Sequence, residues 1–166
     1  IQKFIDFLQE LSYIHIPEIL LVSGVPKPPY NSLSLLTDIT PFYKNTYPHI
    51  AIAYNPFLRG EELHQENTRL CQKIDTGIIS SVYFQIGIDT NIIRQAIDYV
   101  RSLNSTISIY LSLMNPSPAR LAQFRYRPWK GVFLPSEYTN SSDKAQEINQ
   151  SLYHLAEELN IGVIQG

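Results

Sequence analysis

Five short apolar runs recur along this chain of 166 residues, and stretches with helical spacing of apolar residues separate them. Buried parallel strands are typically continuous apolar segments, because helices cover the sheet that they form. Alternation of such runs with helices predicts βα units joined by right-handed crossovers. We therefore expect an α/β protein with a mainly parallel sheet, and its strands are predicted within residues 18–24, 49–56, 80–86, 107–114 and 161–165.

Apolar residues at helical spacing predict the helices that connect these strands, at residues 33–42, 61–75, 91–103 and 143–159. Asp89 or Thr90 is available as the N-cap of the third of them. The sequence also opens inside a helical pattern at residues 1–8, which favours its being the later part of a longer protein.

Two architectures fit this order of elements. A flavodoxin-like open sheet has five strands, but its glycine-rich phosphate loop is absent after the first apolar run. A complete (β/α)8 barrel takes about 250 residues for eight strands. Five strands in 166 residues match the density of a barrel that lacks its first three. We predict a single domain over residues 1–166 of the TIM-barrel type, with about five βα units of an incomplete barrel.

Composition excludes several classes of partner and site. The net charge is −2 and the 13 Lys and Arg are spread along the chain, so we expect neither a nucleic-acid partner nor membrane-surface binding. The single cysteine, Cys71, excludes an internal disulfide and fits a reducing, cytoplasmic compartment. The four histidines have no ligand spacing, so no metal site is predicted.

Gln85 is the polar residue that first suggests a functional site, because it follows the apolar segment 82–84 near the end of the third predicted strand. An amide in such a place must find a hydrogen-bond partner or face a ligand. Capping of a neighbouring loop by this amide is the alternative interpretation.

The stretch around Gln85 also carries the best of four motif resemblances. Residues 70–77, LCQKIDTG, with Gln85 and Asp89 beyond them, resemble Leu-Lys-x-Lys-Val-Asp-Ala-Gly leading to Thr-Gln-x-Phe-Phe-Asp. This pattern belongs to the catalytic barrel of the methylenetetrahydrofolate reductase family. The resemblance extends from about Tyr13 to Gly166.

The other three motifs occur in the family's order. Residues 20–26, LLVSGVP, resemble a strand that ends in Leu-Arg-Gly-Asp-Pro, and residues 50–56, IAIAYNP, resemble Val-Ala-Ala-Tyr-Pro-Glu. Residues 109–115, followed by 131–135, are similar to Ile-x-Gly-Ile-Met-Pro and a later Val-x-Ile-Pro.

The resemblance implies a flavoenzyme of one-carbon metabolism and methionine biosynthesis that passes hydride from NAD(P)H through FAD to methylenetetrahydrofolate. By matching position, Tyr54, Glu66 and Lys73 contact the flavin, and Gln85 is the catalytic-site glutamine that hydrogen-bonds the folate. Gly24, which has no side chain, would let the backbone approach the isoalloxazine closely.

Three departures from the family motifs favour a second interpretation. Ser23, Val25 and Leu58 stand where the family has arginine, aspartate and histidine. Charge close to a hydride acceptor controls its potential, and two of these changes remove charge. A barrel that has lost redox chemistry and serves as an accessory or binding subunit is therefore the alternative. An open barrel edge also favours association with further copies of the chain.

The proposed flavin contacts have simpler interpretations. Glu66 and Lys73 are seven residues apart, and with Arg69 between them they fit a solvated charged stripe on one side of a helix. Tyr54 fits an ordinary core residue with its hydroxyl at the rim. A carbonyl-trapping role for Lys73 is disfavoured, because that chemistry needs a desolvated amine and this residue is expected near the end of an outer helix.

Overall fold

Five parallel strands form the sheet, and they lie side by side in their order along the chain. A computed structural model describes residues 1–22 and 31–166. The strands are β1 (Glu18–Leu21), β2 (His49–Tyr54), β3 (Ile79–Phe84), β4 (Ser108–Leu113) and β5 (Gly162–Gln165). All five predicted strands are confirmed. Predictions that concern Ser23, Gly24 and Val25 lie outside the described residues.

The helices are α1 (Gln2–Tyr13), α2 (Ser32–Ile39), α3 (Gly60–Ile74), α4 (Thr90–Leu103), α5 (Pro118–Tyr126), α6 (Ser136–Asn140) and α7 (Ser142–Glu158), with a 3-10 turn at Thr40–Phe42 after α2. The helices predicted between strands are confirmed as α2 with its 3-10 turn, α3, α4 and α7. Sequence analysis missed α5 and α6. Asp89 is the N-cap of α4, because its carboxylate accepts from the backbone N–H groups of Asn91 and Ile92.

The sequential strand order excludes the flavodoxin-like arrangement. A flavodoxin-like sheet would place its strands in the order 2-1-3-4-5, whereas here every crossover moves to the next strand in one direction. Right-handed crossovers that all move in one direction place their helices on the same face. The sheet curls into a half-barrel, which is compatible with a partial (β/α)8 barrel.

The two faces of the sheet carry different residues. Ile52, Val82 and Ile109 are in register and belong to the main buried cluster, which includes Leu70 of α3 and Ile97 of α4. This face is therefore the one that the helices cover, since successive side chains of a strand point to opposite faces.

The opposite face presents the other set of registered residues. Tyr83 and Tyr110 stack with their ring centroids 4.6 Å apart. The Glu18 carboxylate accepts hydrogen bonds from the Ser81 hydroxyl at 2.6 Å and from the Tyr83 hydroxyl at 2.7 Å. Ala51 of β2 lies between these strands and is small enough for Glu18 to reach across it. The half-barrel therefore has a polar, aromatic inner face.

Gly162 is the residue of β5 that faces this aromatic stack. A Cβ placed there would overlap Cδ1 of Tyr110, so Gly162→Ala must displace a ring that is packed against Tyr83. Overpacking of this kind costs about 1–3 kcal/mol. We expect urea unfolding to show that loss of stability. Gly166→Ala is the control, because nothing lies within 4 Å of its new methyl group; equal stability of both variants would contradict the packing described here.

Candidate functional site

A cavity of about 560 Å³ lies at the carboxyl ends of β1, β2 and β3. Four of the five predicted site residues line it: Tyr54, Glu66, Lys73 and Gln85. The fifth, Gly24, lies outside the described residues. Ligands of parallel α/β proteins bind at the carboxyl ends of the strands, and this volume is in the usual range for a small-molecule site.

Lys73 is the one charged residue that is buried in the described part of the chain, with 7% of its surface exposed. It lies in the last turn of α3. Side chains in a helix lean towards its N-terminus, so the lysine extends back towards the carboxyl edge of the sheet. Among residues 1–22 and 31–166, no hydrogen bond or ion pair engages its amine. The amine is thus available to a ligand in the cavity.

Burial is the main influence on the pKa of this amine. Desolvation lowers the pKa of Lys73; the Glu66 charge opposes the shift and the Arg69 charge adds to it. The predicted solvated stripe is therefore wrong for Lys73, because its side chain is enclosed between the helix and the sheet. Of Glu66, Arg69 and Lys73, Arg69 alone fits a solvated stripe. Its side chain is 48% exposed, against 16% for Glu66.

Glu66 fixes the loop that follows β2. One carboxylate oxygen accepts from the backbone N–H of Asn55 at 3.2 Å, and the other accepts from the Arg69 guanidinium at 2.7 Å. Asn55 in turn donates from its side-chain amide to the carbonyl oxygen of Gly131 at 2.8 Å. Both oxygens of Glu66 are therefore used within the protein, which makes it a positioning residue at this edge of the sheet.

Gln85 has one half of its amide engaged. Its Oε1 accepts from the backbone N–H of the next residue, Ile86, at 2.9 Å, so this half of the amide holds its own turn and not a neighbouring loop. Its Nε2 makes no hydrogen bond to a residue in the described part of the chain. Gln85 therefore holds the turn after β3 and keeps an amide N–H group for a ligand.

Tyr54 contributes its ring to the cavity and its hydroxyl to the helix layer. The residue is 3% exposed, and its hydroxyl donates to Asn67 Oδ1 at 2.7 Å. Its ring meets Phe84 edge to face, with centroids 5.6 Å apart. Burial raises the pKa of this hydroxyl, and nearby Tyr99 and Glu66 add to the effect. Tyr54 is thus a core residue with a satisfied hydroxyl, and contact with a ligand would be through its ring.

Sequence reasoning missed several residues that line the cavity, among them Asn55, Tyr83 and Ser112. Tyr83 and Gln85 are two residues apart, so they share a face at the end of β3. Because alternate residues of a strand share a face, the prediction of Gln85 could have indicated Tyr83 as well. Burial raises the pKa of Tyr83 to about 12, and the hydrogen bond to Glu18 contributes.

A larger cavity of about 840 Å³ lies beside α5 and α6. The four predicted site residues that the structure describes do not line it, and its Arg125 already donates to the carbonyl oxygen of Thr139 at 2.6 Å. Across residues 1–22 and 31–166, no group of three His, Cys, Asp or Glu side chains is placed to bind a metal ion. In the same ranges no helix has the length and apolarity to cross a bilayer.

Comparison with known proteins identifies no relative: no family model matches the chain, and no curated protein matches it. The functional interpretation therefore depends on the motifs described above and on the geometry of the 560 Å³ cavity.

Replacing Lys73 by methionine tests the burial of this amine directly. In the folded chain the lysine pKa lies below its unfolded value, so the unfolded chain binds more protons between the two values and stability rises with pH across that window. We expect ligand-free Lys73→Met to be more stable than the parent at neutral pH, with the difference narrowing as pH rises towards the ordinary lysine pKa.

Urea unfolding at several pH values measures this difference. Glu66, Arg69, Tyr54 and Tyr83 border the same cavity and are present in both proteins, so the comparison isolates Lys73. Lys144→Met is the control, because Lys144 is exposed and paired with Glu147. A Lys73→Met protein that is less stable than the parent at neutral pH would refute the desolvated amine.

Proposed function

We propose that this chain is a flavin-dependent oxidoreductase domain of the methylenetetrahydrofolate reductase type, built on part of a (β/α)8 barrel. Its hydride donor is NAD(P)H, its cofactor is FAD and its acceptor is methylenetetrahydrofolate. The observation that carries the proposal is a pair of donors that no described residue engages, the Lys73 amine and the Gln85 amide N–H. Both residues border one cavity at the carboxyl edge of the sheet.

The donor set suits a flavin. The pyrimidine edge of an isoalloxazine presents carbonyl oxygens and ring nitrogens, and a dinucleotide adds phosphates, so the whole molecule is rich in acceptors. Lys73 and Gln85 supply donors that no described residue uses. Two aromatic residues, Tyr54 and Tyr83, border the same cavity. The residues present therefore fit the group that the motifs imply.

Each residue has a separate role in this proposal. Lys73 would hold an acceptor group of the cofactor, and its positive charge would favour the reduced, anionic ring. Gln85 would orient the pterin through Nε2, while its Oε1 keeps the turn after β3 in place. Glu66 would keep Asn55 and Arg69 at the cavity edge. FAD, when bound, supplies the hydride transfer itself.

A binding subunit without redox chemistry is the second candidate, and Leu58 favours it. This residue stands where the family motif has histidine, and it is absent from the residues that border the cavity. Its side chain instead lies close to Gly131, 3.9 Å from the position that a Cβ would take there. Binding of FAD without turnover would identify this second function.

Anaerobic mixing tests the redox function. FAD-loaded protein is expected to lose its flavin absorbance with NADH or NADPH and to regain it on addition of methylenetetrahydrofolate. Gln85→Ala should slow the second step about tenfold, because a lost hydrogen bond of about 1.4 kcal/mol corresponds to that factor. Exposed Gln123→Ala is the control and should change neither step. If neither NADH nor NADPH lowers the absorbance of the bound flavin, the redox assignment is ruled out.

A further inference from the structure

Lys73 differs from two surface lysines, Lys44 and Lys144, in both burial and partners. It is 7% exposed and its amine is unpaired within residues 1–22 and 31–166. By contrast, Lys144 pairs with Glu147 at 2.9 Å, and Lys44 lies over the ring of Tyr47. A buried amine without a carboxylate partner is disfavoured in its charged form.

The amine is nevertheless accessible from the cavity. In the described part of the chain, every fully enclosed side-chain nitrogen or oxygen has a hydrogen-bond partner. Since Nζ of Lys73 has none, it must keep some surface open, and the residue borders the 560 Å³ cavity. A small molecule that enters this cavity can therefore reach the nitrogen.

The neighbouring charges do not neutralise this nitrogen. The Glu66 charge favours the protonated amine, but the two oxygens of Glu66 already accept from Asn55 and Arg69. The Arg69 guanidinium disfavours a second positive charge beside it. Burial and the Arg69 charge both favour the neutral amine, which is the nucleophilic form of lysine, and the net direction of the pKa shift is downward.

We propose that Lys73 is a carbonyl-reactive amine, which forms an imine with a small aldehyde or ketone that carries an anionic group. Arg69 at the cavity edge and the free Nε2 of Gln85 are the groups suited to the anion. The sequence-based objection to such a role was a solvated position on an outer helix. Enclosure of the side chain removes that objection.

The reaction consumes neither oxidant nor reductant. The nitrogen lone pair attacks the carbonyl carbon, and a proton passes from nitrogen to oxygen to give a carbinolamine. The hydroxyl group then leaves with the second proton of the nitrogen as water. One carbon–nitrogen double bond replaces the carbon–oxygen double bond, so the products are the imine and one water molecule.

Reductive trapping tests this assignment. The purified protein is incubated with pyridoxal phosphate, reduced with cyanoborohydride, digested and analysed by mass spectrometry. We expect one major adduct, on Lys73. Lys73→Arg should abolish it and Lys144→Arg should leave it unchanged, with circular dichroism confirming that both variants fold. Labelling of Lys144 that equals or exceeds labelling of Lys73 would overturn the proposal.

This inference does not depend on the flavin proposal, because it uses only the unliganded cavity. The two occupants would nevertheless compete for the same nitrogen. Excess FAD is therefore expected to slow labelling of Lys73 and not of Lys144. Rapid, selective labelling of Lys73 that FAD leaves unchanged supports the imine and counts against the flavin, so failure of one proposal is distinguishable from failure of the other.

Discussion

Truncation of Phe84 to alanine is expected to lower the free energy of unfolding by about 3–5 kcal/mol, the usual cost for a buried phenylalanine. Phe84 is 1% exposed and ends β3, the middle strand of the five. Its ring meets Tyr54 edge to face, so the change also removes an aromatic contact. The loss is a large part of the roughly 5–15 kcal/mol that stabilises a typical domain.

Denaturant unfolding followed by circular dichroism measures this effect. Phe42→Ala is the matched control, because Phe42 is 54% exposed and the same atoms are removed. Its stability should stay within about 0.5 kcal/mol of the parent. If Phe84→Ala and Phe42→Ala lower the free energy of unfolding equally, β3 is not at the centre of the core. The cavity beside β3 is then not placed as described.

Replacement of Lys73 by methionine should weaken FAD binding by about ten- to a hundredfold. A hydrogen bond from a charged group contributes about 1.5–3 kcal/mol, and each 1.4 kcal/mol corresponds to a factor of ten. Methionine keeps the length and helix propensity of the side chain, so the helix should remain intact. The same substitution is expected to raise the stability of the ligand-free protein, and urea unfolding of the variant then shows that weaker binding does not come from unfolding.

Calorimetric titration with FAD gives the two dissociation constants. Lys144→Met removes a lysine of the same charge from the surface and should bind FAD like the parent. If the Lys73→Met and Lys144→Met proteins bind FAD with equal affinity, Lys73 does not contact the flavin.

The layout of the sheet was predictable because its signals are local. Each strand contains a short apolar run, and Asp89 is a residue type that caps helices. The short helices α5 and α6 gave no such signal. In α5 only Leu121 and Phe124 are buried, and α6 has five residues, so neither shows an extended apolar periodicity.

The candidate site was only partly predictable, because it depends on which way side chains face. Tyr54 ends β2 and Gln85 directly follows β3. Tyr54 nevertheless directs its hydroxyl to Asn67 in the helix layer, whereas Gln85 keeps an N–H group that no described residue uses. The spacing of Glu66 and Lys73 showed that they share a side of α3 but not that the sheet encloses Lys73. Burial of a charged side chain results from tertiary packing, which helical spacing alone does not reveal.

Titration of the purified protein with FAD in a calorimeter is the most direct test of the central claim, that the donors of Lys73 and Gln85 face a flavin. The account predicts saturable binding of one FAD per chain and a yellow protein after removal of free cofactor. Absence of heat together with a colourless protein would contradict it.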